Sequence, residues 1–281
     1  MESVSRRRLL QGLGVAGLAG LAGCGAAGAE RPSLVNAPAP TNAPSTVRRQ
    51  LVSSGPAAPV EAEAAPLEAE VAPLEAEVAN PFRAITATAV VSQIEVFASP
   101  DERAEVTHRM DNPTTTNGPL VFLTTFNAAD WNEVLLPVRP NGSTGWVRNS
   151  DVVLASHNYR IQVDLPDFRM RVFEDDQTVF DAVAGVASNN TPTPGGIYYI
   201  TELIDPIVPN SVYGAHAYGL SGFSEVFETF NGGPGQLGIH GTNDPDTLGT
   251  AVSAGCIRLH NDDIRRIRAF LPLGVPVTVT A

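Results

Sequence analysis

Lysine is absent from the 281-residue chain, so its 18 basic groups are all arginine, set against 30 acidic groups for a formal net charge of −12. That balance argues against a nucleic-acid binder, which needs a basic face. Cysteine occurs twice, too seldom for a disulfide framework or a Cys-rich zinc centre. Aromatic residues make up only 6% of the chain, although 43% is hydrophobic. The apolar run Leu9–Gly23 falls short of the roughly 20 residues that span a bilayer as a helix. Glycine (25) and proline (23) are plentiful, which argues against a helical bundle and for strands and turns. The length suffices for one large domain or two modest ones with real cores.

The first 24 residues read as an export signal, with charge at Arg6–Arg8, a short Gly-rich apolar core and a small-residue end. The arginines resemble a twin-arginine signal. Leu21-Ala22-Gly23-Cys24 resembles a lipoprotein box, which implies lipidation of the Cys24 sulfur and an extracytoplasmic protein anchored to the cell membrane, facing the cell wall. An ordinary signal peptide with an incidental Cys24 is the alternative. Residues 25–82 read as a tether rich in Ala, Pro and Glu, with a seven-residue repeat, Ala65–Val71 and Ala72–Val78. Pro66 and Pro73 rule out a coiled coil, and six Glu between positions 61 and 77 extend the chain by self-repulsion. Such a tether reaches roughly 40 Å as a coil and on the order of 175 Å when extended.

Residues 83–156 predict a small β barrel or sandwich, with strands at Ile94–Phe97, Leu120–Leu123 and Glu133–Leu136 and turns at Asn112-Pro113 and Asn141-Gly142. The stretch Leu136–Val147 resembles the closing hairpin of bacterial SH3-like modules, with Trp146 expected as a core aromatic. Residues 157–281 predict a mostly β domain, with strands at Tyr159–Leu165, Met170–Phe173, Val179–Val186, Ile197–Leu203 and Val275–Val279. One helix is expected, capped by Asn261 and buried through Ile264, Ile267, Phe270 and Leu271. The fold class is therefore mainly β.

If Cys24 is lipidated, Cys256 is the one free thiol. A solitary thiol outside the cytoplasm is either a buried inert residue or a nucleophile. Its setting, Ser253-Ala254-Gly255-Cys256-Ile257-Arg258, favours the second. Small residues admit a substrate backbone, and the Gly255 and Cys256 amides are suited to hold an oxyanion. A strand through Ile257 and Leu259 would put Cys256, Arg258 and His260 on one face. His240, in Gly238-Ile239-His240-Gly241-Thr242-Asn243, is a base that a backbone carbonyl can orient, and the pair predicts a thiolate–imidazolium couple.

Ile239–Asn243, the gap to Ser253 and the Ser-x-Gly-Cys-Ile-Arg run together resemble the L,D-transpeptidase (YkuD-type) domain. The loop Thr191–Gly196 and Asn261-Asp262-Asp263 add to the match, which covers Tyr159–Ala281. Ala254 departs from the family, many members of which carry His there. The resemblance implies that Cys256 attacks the L-centre carbonyl of the third stem-peptide residue, usually diaminopimelate, with release of D-Ala. It makes His240 the general base and later acid, and the Gly241 carbonyl the group that fixes its tautomer. It gives the oxyanion to Gly255 and Cys256. Arg258, His216, Tyr218, Asn243 and Ser253 are the expected substrate contacts, Arg258 through a carboxylate. No cofactor or metal is implied; peptidoglycan stem peptides are the partners and carbapenem-type β-lactams the expected covalent inhibitors.

Other readings remain open. Water in place of an amine gives an L,D-carboxypeptidase, and a silent second domain gives a wall-binding lipoprotein. His216 either lines the cleft or packs a loop. His260 is expected as a strand-end packing residue. The histidines lack the helical spacing of a zinc site.

Overall fold

Alternating apolar and polar residues fold 84–157 into β1 (Ala84–Ala89), β2 (Gln93–Phe97), β3 (Val106–Asp111), β4 (Val121–Asn127), β5 (Trp131–Leu135), β6 (Thr144–Arg148) and β7 (Val152–His157). The computed structural model describes residues 80–205, 210–230 and 232–281; the export signal, Cys24 and the tether up to residue 79 lie outside them. The seven strands pair in the order β3-β2-β6-β5-β4-β1-β7, and β2 meets β6 only at Phe97 and Trp146. Ile94, Val96, Phe122, Val134 and Val147 are fully buried on one face. Gly145 lies among them because a Cβ there would stand 2.3 Å from Val96 Cγ1. Trp146 does not take the core position expected of it. It alternates with Gly145 and Val147, so it is half-buried on the opposite face, edge-on to Phe126 at 6.1 Å. Trp131 is the buried tryptophan, packed against Phe97, whose ring lies 4.3 Å beneath the Arg148 guanidinium.

The second sheet is built from β8 (Tyr159–Asp164), β9 (Arg169–Glu174), β10 (Gln177–Val183), β12 (Gly196–Ile204), β13 (Ala217–Phe223), β14 (Gln236–His240), β16 (Ile257–Arg258) and β17 (Pro276–Thr280). The short strands β11 (Val186–Ala187) and β15 (Ala251–Ser253) pair separately in parallel. The main order is β10-β9-β8-β17-β12-β13-β14-β16, parallel at β8–β17 and β14–β16. The expected single strand Val179–Val186 is broken, since β10 ends at Val183 and the Gly185 amide turns to Arg258. One α-helix, α1 (Asn261–Arg268), buries Ile264 and Ile267 completely against this sheet. Burying two isoleucines contributes about 3–6 kcal/mol. The fold is mainly β, as the composition implies.

Asn261 is not the helix cap. His260 occupies that place, its Nδ1 accepting from the Asp262 amide at 3.3 Å, and it is exposed rather than packed at a strand end. The strand expected to run through Leu259 ends at Arg258, although the Leu259 amide still donates to the His240 carbonyl at 2.8 Å. The two sheets meet where Ala84, Leu123 and Leu135 bury Tyr199. Gly274 (φ +82°) joins them, since a Cβ there would stand 2.2 Å from Thr86 Cγ2.

Candidate active site

Strand β14 carries Gly238 and His240, two residues apart and so on one face. Its parallel neighbour β16 pairs Ile257 with Ile239 and Arg258 with His240, which sets Cys256 beside Gly238. A Cβ on Gly238 would lie 3.9 Å from the Cys256 sulfur and 2.8 Å from the Tyr218 carbonyl, so only glycine lets the strand approach this closely. The Gly238 amide donates to the sulfur, favouring its anionic form. His240 is buried, with Nδ1 2.5 Å from the Gly241 carbonyl oxygen. A carbonyl only accepts, so Nδ1 carries the proton and Nε2 keeps a free lone pair. Tyr213 packs edge-on to the imidazole, ring centroids 5.0 Å apart.

The turn before the thiol is braced from several sides. Ser253 Oγ donates to the Cys256 carbonyl (2.5 Å) and accepts from the Gly255 amide (3.2 Å). Gly255 has φ +131°, and a Cβ there would press Leu237 at 3.1 Å. From the Pro-rich loop, Thr193 Oγ1 donates to the Gly255 carbonyl (2.7 Å) and Thr191 Oγ1 to the Ser253 carbonyl (3.2 Å). Ser253 is therefore a turn brace as well as a cleft residue. The Gly255 amide, expected as an oxyanion donor, is engaged by Ser253 Oγ within the turn.

Electrostatics correct the expected ion pair. Burial pushes His240 down to about 4, helped by the Arg258 charge and opposed by the Gly241 carbonyl. Burial also pushes the Cys256 thiol up, against the Gly238 amide and Arg258. At neutral pH both groups are uncharged, so the resting pair is thiol and imidazole. Arg258 exchanges backbone hydrogen bonds with Gly185 (2.8 and 2.9 Å). Its Nε is buried without a partner, and among the described residues no carboxylate pairs with its guanidinium. An unspent cation beside the thiol is suited to an anionic ligand group.

Cys256, His240, Tyr213, Leu237, Gln236 and Phe230 line two adjoining chambers. One, of ≈ 330 Å³, adds Glu202, Asp205, His216 and Tyr218. The other, of ≈ 260 Å³, adds Phe227, Ser253 and Arg258. His216 lines the first, its Nδ1 3.2 Å from Asp205, whose carboxyl Arg268 holds below the usual range at 2.7 Å. The buried Tyr218 hydroxyl has no partner there, and burial raises it to about 12. Asn243 lines a neighbouring polar pocket with Thr242 and Arg265, which shares His216 with the first chamber, and it donates to the Asn210 carbonyl at 3.2 Å. Sequence reasoning missed Tyr213, Phe227 and Phe230; Tyr213 stands three residues before His216, and the two phenylalanines sit in no motif. Among the described residues no group of three or more His, Cys, Asp or Glu is arranged to hold a metal.

Residues 158–279 match the family model described as the L,D-transpeptidase catalytic domain. A putative L,D-transpeptidase YkuD of Bacillus licheniformis is 34% identical over 134 residues, covering 48% of this chain and 70% of that protein. The chain belongs to the L,D-transpeptidase family. A putative L,D-transpeptidase YkuD of Bacillus subtilis is 37% identical over 89 residues, 32% of this chain and 46% of the relative. Among solved structures, Bdellovibrio bacteriovorus Bd1075 is 27% identical, with 44% of this chain and 48% of that one covered at a TM-score of 0.36. The faropenem-derived adduct of L,D-transpeptidase 3 from Mycobacterium tuberculosis is 16% identical, with 51% and 76% covered at 0.37. The L,D-transpeptidase match begins at the second sheet and leaves the first outside it.

Proposed function

We propose that the protein cross-links peptidoglycan stems by L,D-transpeptidation through a Cys256 thioester. The observation that supports this best is the placement of Cys256 and His240 at the junction of two chambers, with Nε2 free to accept a proton. His240 Nε2 takes the thiol proton as the sulfur attacks the L-centre carbonyl of the third donor residue. The carbonyl electrons move to oxygen, facing the Cys256 amide. Collapse forms the thioester and breaks the peptide bond to D-Ala, whose amine leaves with the proton from His240. The amine of a second stem then gives up a proton to His240 and attacks the thioester, forming a 3→3 amide and regenerating the thiol. Arg258 supplies a cation for a donor carboxylate, bidentate where geometry allows.

The same reading makes the first sheet an SH3-like wall-directed module and Cys24 a lipid anchor, with the tether spanning from membrane to wall. Purified protein mixed with a diaminopimelate-containing tetrapeptide should release D-Ala and form dimeric product, and Cys256→Ala should do neither. Undiminished turnover in Cys256→Ala overturns the mechanism; D-Ala release with hydrolysed product alone replaces transpeptidase by carboxypeptidase. A carbapenem, whose strained amide is an acyl donor, should add its mass to wild-type protein and not to Cys256→Ala.

A further inference from the structure

The hairpin between β5 and β6 reaches out of the first sheet and onto the rim of the cleft. There Arg139 gathers three backbone carbonyls with one guanidinium: Phe227 (2.9 Å), Ser224 (3.1 Å) and Pro234 (2.9 Å). Its cation also stands 4.7 Å over the Phe223 ring. Two residues on, Asn141 completes a reciprocal pair with the Phe223 backbone, accepting from its amide and donating to its carbonyl, both at 2.8 Å. Ser224 and Phe227 lie on the limb leaving β13, and Pro234 lies on the limb entering β14. Arg139 therefore ties the neck of a loop whose Phe227, Phe230 and Gly235 line the Arg258 chamber. The neck is drawn close. Gly235 has φ +70°, and a Cβ there would stand 2.3 Å from the Phe227 carbonyl and 3.3 Å from the Arg139 guanidinium.

We infer that Arg139 and Asn141 are positioning residues for the cleft, so that the first sheet sets the outer wall of a chamber it does not line. Arginine suits the task because its planar fork meets several carbonyls at once, which the point charge of a lysine does not. Ser224 helps from inside, its Oγ accepting from the Val226 and Phe227 amides at 3.2 and 3.0 Å. The inference rests on the transpeptidase reading for its kinetic consequence but not for its structural one.

The test uses the full chain with Arg139→Ala, and Asn141→Ala as a second variant should the first fail to fold. Three quantities are read: kcat and KM for the tetrapeptide, the rate of Cys256 alkylation by iodoacetamide, and amide hydrogen exchange in the limbs 223–230 and 232–236. Misplacing a chamber wall should lower kcat/KM by about tenfold or more, chiefly through KM. Alkylation by so small a reagent should stay within about twofold, and exchange in both limbs should accelerate. Arg148→Ala is the control, because that guanidinium stays within the first sheet on Glu95, Glu102 and Asp151. Wild-type kcat/KM and exchange in Arg139→Ala overturn the inference, as does an equal effect from Arg148→Ala. If the wild type does not turn over the tetrapeptide, the proposed function fails instead, and exchange in the limbs alone decides whether the hairpin holds the wall.

Discussion

His240 is a base whose usefulness and whose cost share one cause. Its burial keeps the imidazole neutral down to about pH 4, so Nε2 is available as an acceptor across the physiological range. An unfolded histidine titrates near 6.5, so protonation opposes folding between that value and about 4. The sign follows from linkage: stability is fully present above about pH 6.5 and is lost as pH falls toward the folded value. The fall from 6.5 to about 4 corresponds to about 3 kcal/mol. Urea unfolding of wild type and His240→Asn at pH 7 and pH 4 should therefore converge at the acid end, with the variant missing that part of the pH dependence. Parallel profiles would show that the imidazole is not held neutral. The thiol gives an independent check. Because burial raises Cys256, its alkylation rate should keep climbing with pH through the alkaline range; a plateau below neutrality would restore the ion pair.

At the scale of elements, α1 matters for what its first residue does outside the helix. Asn261 Oδ1 accepts from the Ala215 amide at 2.8 Å, and Nδ2 donates to the Thr242 carbonyl at 2.9 Å. It thereby ties the segment before β13 to the turn after β14, on either side of His240. Glycines at 214 and 241 make room, since a Cβ at either would stand 2.2 Å from Asn261 Oδ1. Asn261→Ala strands both backbone groups and should cost about 2–4 kcal/mol, read as a lowered midpoint in thermal unfolding with an unchanged exchange pattern in the first sheet. No loss of stability would mean that water replaces both contacts.

This residue also shows where sequence reasoning stops. Asn-Asp-Asp before an apolar stripe is a fair helix start, and α1 is there with Ile264 and Ile267 buried. What cannot be read locally is that Asn261 finds partners 46 and 19 residues away and yields the cap to His260. Strands with clean alternation, such as Tyr159–Asp164, were legible for the same reason that α1 was. Ala217–Phe223 was not, because it is buried on both faces and carries two glycines in place of a pattern. The candidate site divides the same way. Cys256, His240 and Arg258 announce themselves by residue type and spacing, whereas the engagement of the Gly255 amide by Ser253 and the aromatic wall from Phe227 and Phe230 exist only once the loops are folded.

The molecule as a whole depends on the junction of its two sheets, and Tyr199 sits at its centre. The ring is fully buried among Ala84, Leu123 and Leu135, and its amide donates to Ser221 Oγ at 3.1 Å. Its hydroxyl has no partner, and burial alone raises its ionisation above the usual tyrosine range. A buried hydroxyl without a hydrogen bond has lost water and gained nothing for it. Tyr199→Phe removes that oxygen while keeping the ring, so it should stabilise by about 1 kcal/mol, raising the melting temperature by about 2–4 °C for a unit of this size. Leu123→Ala removes apolar volume from the same junction and should destabilise by about 2–5 kcal/mol. Opposite shifts from neighbouring substitutions distinguish an apolar seam from a polar one. A lower melting temperature in Tyr199→Phe would mean that the hydroxyl is satisfied, and that the sheets are joined by a hydrogen bond rather than by packing.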